Sequence, residues 1–122
     1  MIKLDLLPRK EFEITLEDGT IIKGQFGTWA LKRFCTRRNY SLNEAGVKLS
    51  DPGMDDIVDY ILSAVEYAAR KENAPFSYTD LHVCEWIDEM GGMQSQDFAN
   101  LFRHSADEVQ ASDATEEKKT EY

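Results

Sequence analysis

The stretch from Met54 to Lys71 restricts the fold more than any other part of the chain. Met54, Ile57, Val58, Ile61, Leu62, Val65, Ala68 and Ala69 recur at the 3.6-residue spacing of an α-helix and form one wide apolar stripe. Asp55 and Asp56 fall in its first turn and Arg70 and Lys71 in its last, which complements the helix dipole at both ends. Asn73-Ala74-Pro75 stops it.

Upstream the period changes. Phe12, Ile14 and Leu16 alternate with Glu11, Glu13 and Thr15, the pattern of a half-buried strand. Asp18-Gly19 supplies a tight turn, and a return strand over 20–26 carries Ile22 and Phe26 on one face. Ile2, Leu4 and Leu6 alternate as well, and Pro8 sets them apart as a third strand or a free arm. A first helix is predicted over 28–38, with Thr28 as N-cap and Ala30, Leu31, Phe34 and Cys35 facing the core. Ser41-Leu42-Asn43-Glu44 has the form of a capping box and opens a helix of about two turns. Two more helices follow. One spans about 80–90, capped by Thr79, burying Val83, Cys84, Trp86, Ile87 and Met90 and ending at Gly91-Gly92; the other covers about 95–104, with Phe98, Leu101 and Phe102 on one face. Beyond Ser105 the chain turns polar and acidic, the composition of a disordered segment. The expected fold is mainly α (α+β): an N-terminal β-hairpin followed by a bundle of four to five helices over 1–104, then a disordered acidic tail over 105–122.

The 122 residues suit one domain, and no apolar run approaches the ~20 residues of a membrane span. The N-terminus lacks the apolar stretch and cleavage site of a signal peptide, so the expected compartment is the cytoplasm, without membrane partners. Cys35 and Cys84 read as two buried thiols, since no CxxC or Cys/His cluster accompanies them. The net charge of −9 repels phosphates and argues against nucleic acid binding. It is unevenly placed. Lys32, Arg33, Arg37 and Arg38 crowd the first helix while acids dominate the C-terminus, which suggests self-association or a charged partner.

Motifs for catalysis or cofactors are not apparent, so an enzyme is not expected, nor a cofactor or metal. Gly24-Gln25-Phe26-Gly27 lacks phosphate-loop spacing. His82 and Cys84 stand two apart on a helix and point about 200° apart, which suits no shared ion. Asp55, Asp56 and Asp59 read as a solvated helix face. Two features look more functional. Trp29 points away from the core face, among Lys32, Arg33 and Thr36; it either packs sideways on the hairpin or anchors a partner, with Arg37 on the same basic helix. Tyr60 and Tyr67 flank the long helix and either widen its core face or line a subunit contact.

The hairpin with its DG turn, the run Gly27-Thr28-Trp29-Ala30-Leu31-Lys32-Arg33-Phe34, the capped short helix and the long amphipathic helix together resemble the tail assembly chaperones of long-tailed bacteriophages and prophages. The likeness covers about residues 11–90 and departs from the family at Cys35-Thr36-Arg37-Arg38, where acidic residues are commoner. It implies a helical, homo-oligomeric protein of the host cytoplasm that binds the tape measure protein and passes it to the tail tube protein. Trp29, Lys32, Arg33, Arg37, Tyr60 and Tyr67 are then the candidate partner contacts. It also implies a longer, frameshifted form, for which Glu117-Lys118-Lys119 is either the slip site or an ordinary charged terminus. The alternative is an acidic inhibitor that binds a protein by mimicking nucleic acid.

Overall fold

The computed structural model describes residues 2–114. Three strands, β1 (Lys3–Leu6), β2 (Glu11–Thr15) and β3 (Ile21–Gln25), form an antiparallel sheet in the order β1-β2-β3. The N-terminal arm is therefore a third strand: Leu4 lies opposite Ile14 and Leu6 opposite Phe12. Between β2 and β3, Gly19 takes a positive φ of 91°, and the Asp18 carboxylate accepts the Thr20 N–H at 2.9 Å. Asp-Gly thus supplies both the left-handed residue and the side-chain acceptor that a tight turn needs.

Five helices follow: α1 (Thr28–Arg38), α2 (Leu42–Ser50), α3 (Met54–Lys71), α4 (Asp80–Met90) and α5 (Gln96–Ala114). The molecule is an α+β fold with a small N-terminal sheet and a larger helical part. The capping box before α2 is complete, with the Glu44 N–H donating to Ser41 Oγ at 3.1 Å and the Ser41 N–H to Glu44 Oε1 at 2.8 Å. The Asp56 carboxylate accepts the Gly53 N–H at 2.9 Å at the start of α3, and His82 Nδ1 accepts the Thr79 N–H at 3.0 Å at the start of α4.

The core lies between α3 and the inner face of the sheet, with α1 and α4 packed along the other flanks of α3. Rings carry the contact across. Phe12 meets Phe26 at 5.3 Å, Phe26 meets Tyr60 at 5.0 Å, and Tyr60 meets Phe34 at 5.3 Å. Gly24 allows this arrangement, because a Cβ there would overlap the Phe12 ring lying over β3.

Several local expectations are corrected. Gly27, not Thr28, is the N-cap of α1; its φ of 152° is open to glycine, and Thr28 already belongs to the helix. Met54 heads the apolar stripe but is 54% exposed. Cys35 and Cys84 are half-buried rather than buried. The chain does not become irregular at Ser105: α5 continues to Ala114. Ser105 is only 8% exposed and lies one turn beyond the fully buried Leu101, so the buried face outlasts the apolar residues. His104 Nε2, 2.9 Å from the Glu11 carbonyl oxygen, ties this part of α5 to β2. The rest of the expected tail, with Glu117-Lys118-Lys119, lies outside the described residues.

Gly24→Ala is expected to lower stability by about 2 kcal/mol, the size of an overpacking penalty, measured by urea unfolding. A chain ended after His104 should melt several degrees below one ended after Ala114, because the cut removes the buried Ser105 and moves the unsatisfied helix end into the turn that holds Leu101 and His104 against the domain. Equal melting temperatures would show that residues 105–114 contribute nothing to the domain.

Candidate protein-binding surface

Helices α1 and α3 run antiparallel, and their facing flanks carry opposite charges. Arg33 and Arg37, one turn apart, both reach Glu66, with Arg33 Nε at 3.0 Å and an Arg37 Nη at 2.7 Å from Oε1. Arg70 lies 3.8 Å from the other carboxylate oxygen. Arg37 also donates to Ser63 Oγ at 3.0 Å. One turn on, Arg38 approaches Asp56 at 3.3 Å and Asp59 at 3.5 Å, and the Tyr40 hydroxyl donates to Asp56 at 2.7 Å.

Glu66 is 4% exposed. Burial alone would raise its carboxyl, but the hydrogen bonds from Arg33 and Arg37 outweigh it and hold the group below its ordinary value. Asp56 behaves likewise: burial acts upward, while Tyr40, the Gly53 N–H and Arg38 together bring it below the ordinary range. Asp59 has weaker partners, and burial leaves its carboxyl raised. The acids expected to be a solvated face are therefore divided. Asp55 is exposed, whereas Asp56 and Asp59 belong to the α1–α3 contact.

At the far end of this contact Trp29 stacks on Tyr67, ring centroids 5.6 Å apart and planes 21° apart. It packs on Tyr67 of α3 and is half-buried. The Arg70 guanidinium sits 5.9 Å from the Trp29 ring and the Lys71 ammonium 5.4 Å from the Tyr67 ring, within cation–π range. Trp29, Lys32, Arg33 and Thr36 line a hollow of about 80 Å³. Lys32 is exposed and has no ion-pair partner among the described residues.

Four of the six candidate contacts, Trp29, Lys32, Arg33 and Tyr67, thus meet on one face. Arg37 lies a turn away, directed inward to Glu66 and Ser63 with its guanidinium 6.0 Å from the Phe76 ring. Tyr60 is corrected from a possible contact to a core residue: it is 7% exposed between Phe26 and Phe34, and burial pushes its hydroxyl up to about 12. Sequence reasoning missed Arg70, Lys71 and Glu66 as members of this face. Their spacing held a signal, since Asp56, Asp59, Ser63, Glu66 and Arg70 step by three or four residues along one flank, opposite the Arg33–Arg37 step.

No cluster of three or more His, Cys, Asp or Glu suited to a metal ion occurs among the described residues. Burial, with Asp80 and Asp88 nearby, raises the Cys84 thiol and disfavours the thiolate. No helix among the described residues is long and apolar enough to cross a membrane. The chain matches no protein-family model, no curated protein and no solved structure.

Glu66→Gln should lower stability by about 3 kcal/mol, since it leaves Arg33 and Arg37 facing a neutral amide in a largely desolvated site. The pH dependence has a definite sign. Glu66 and Asp56 titrate lower in the folded chain than at their ordinary values of 4.5 and 3.8. Their stabilisation is full above those values and is lost as pH falls through the lower folded ones. Asp59, raised in the folded chain, acts in the opposite sense and softens the fall. Melting temperature should hold from neutrality to about pH 5 and drop below about pH 4, with a shallower drop in Glu66→Gln.

Proposed function

We propose that the protein is a tail assembly chaperone of a phage or prophage, a non-enzymatic binding module that holds the tape measure protein in the host cytoplasm during tail assembly. One observation carries the reading of this surface. On a chain of net charge −9, the stacked Trp29 and Tyr67 are ringed by Lys32, Arg33, Arg70 and Lys71. Aromatic and arginine side chains dominate binding hot spots, and a cationic face on an acidic molecule selects for a partner with exposed carboxylates. The partner that suits it is an amphipathic helix with acids beside apolar residues, laid along α1. The tape measure protein is named on the resemblance of residues 11–90, through Gly27-Thr28-Trp29-Ala30-Leu31-Lys32-Arg33-Phe34. Homo-oligomerisation and delivery to the tail tube protein belong to the same proposal. Mimicry of nucleic acid has less support, because arginines neutralise Asp56, Asp59 and Glu66, the acids that would give α3 a rigid anionic face.

Lys32→Glu reverses an exposed cation of the face that makes no ion pair among the described residues, so it should leave the fold intact. Its expected effect is about tenfold weaker capture of the tape measure protein, with melting temperature within a degree or two of the parent. Trp29→Ala should weaken capture further and lower stability modestly through loss of the Tyr67 stack. Calorimetric titration beside thermal melts checks both, and a parent protein that fails to bind the tape measure protein would refute the assignment.

A further inference from the structure

The turn between β1 and β2 carries residues that do not favour its geometry. The Glu11 N–H closes it on the Pro8 carbonyl at 3.2 Å, and its two central residues, Arg9 and Lys10, have φ of 63° and 62°. Positive φ at both central positions is the type I′ pattern, for which Asn-Gly is the favoured pair. A longer L side chain there crowds its Cβ against the backbone carbonyl. The other turn of the same sheet places Gly19 at its positive φ, whereas this one places two long cations there. Residues that strain a tight turn persist where their side chains serve something besides the fold.

The backbone of this turn is held on both central residues. Gln25 Nε2 donates to the Arg9 carbonyl at 3.1 Å, and the Phe26 N–H donates to the Lys10 carbonyl at 3.1 Å. Lys71 Nζ in turn donates to the Gln25 amide oxygen at 2.6 Å. These bonds set the turn beside the Trp29 face. Phe26 leads through Gly27 into α1, a Cβ on Gly27 would lie 3.6 Å from the Tyr67 ring, and Lys71 sits over that ring. Arg33, Arg37, Arg38 and Lys23 are engaged by Glu66, Asp56, Asp59 and Glu72. Arg9, exposed, and Lys10, half-buried, make no ion pair among the described residues. Glu11, the acid that follows them, lines a hollow with Lys71.

We propose that the β1–β2 turn is a second anchor for the acidic helix that the Trp29 face receives, with Arg9 and Lys10 meeting carboxylates beyond the start of α1. The choice of an acidic partner rests on the reading of the Trp29 face. Because the turn backbone is already fixed, less ordering is lost when its cations are engaged, and each contributes more to binding. A helix with carboxylates at a few positions suits the site better than a nucleic acid. Phosphates follow one another without a break, and a strand of them would run off these cations onto the surface of a chain of net charge −9.

The test uses the whole protein and a synthetic amphipathic peptide with glutamate beside leucine at helical spacing. Arg9→Asn combined with Lys10→Gly gives the turn its favoured pair and removes both cations. This variant should melt a few degrees above the parent, yet bind the peptide about fivefold more weakly by fluorescence anisotropy, the effect of two exposed charge pairs. Its binding should also depend less steeply on salt. Lys3→Gln with Lys48→Gln makes the same change in net charge away from the turn and should stay within about twofold of the parent. Equal binding by the turn variant, or an equal loss in the Lys3 and Lys48 variant, would overturn the proposal. A turn variant that melts below the parent or fails to fold would also overturn it, since the two side chains would then serve the fold. So would competition by a single-stranded oligonucleotide as strong as that by unlabelled peptide. Lys32→Glu separates the two readings: loss of binding there but not in the turn variant sinks this proposal alone, and the reverse sinks the Trp29 face alone.

Discussion

Glu66 is the hinge on which the helical part is organised. Its carboxylate is almost wholly removed from water and is shared by Arg33, Arg37 and Arg70. Such a group contributes little net stability compared with an apolar residue of its size, because desolvation consumes most of the attraction. What it does impose is register. A slide of α1 along α3 by one turn would leave Glu66 with one of its two α1 arginines and part Asp56 from Arg38, costing about a few kcal/mol. The antiparallel helix pair therefore has one arrangement in which every buried carboxylate is answered.

That register places everything else on α1. With Arg33 held at Glu66, Trp29 one turn earlier falls on Tyr67, and Tyr40 beyond the helix falls on Asp56. The aromatic chain through Phe26, Tyr60 and Phe34 joins the helix pair to the sheet, and Gly24 admits the Phe12 ring at its other end. Polar register and apolar adhesion are thus divided between two flanks of the same helix, α3.

The final turns of α3 also separate the two surfaces that face solvent. Tyr67, Arg70 and Lys71 turn toward Trp29, whereas Ala68, Ala69 and Glu72 border the β3 edge. The first is cationic and aromatic. The second is a recess of mixed polar and apolar lining beside the Lys23–Glu72 pair.

Element positions were legible in the residues because they follow from short-range physics. The apolar spacing of 54–71, the Ser41–Glu44 capping box, the Asp18-Gly19 turn and the Gly91 stop each depend on a few neighbours along the chain. Even so, the length of α5 escaped that logic, since Ser105 is held by packing on a buried face that its polarity does not announce. The fate of each charge could not be read locally at all. Asp55 and Asp56 are adjacent in sequence and alike in chemistry, yet one faces water and the other meets Tyr40 and Arg38. Tyr60 and Tyr67 share a helix flank, yet one is enclosed by rings from β3 and α1 and the other supports a surface tryptophan. Sequence alone determined where helices and strands begin and which stripes are apolar, because those depend on backbone and neighbour energetics. Only the tertiary structure decided which polar residues are buried and paired, because a charge's environment is set by whichever distant element lies against it.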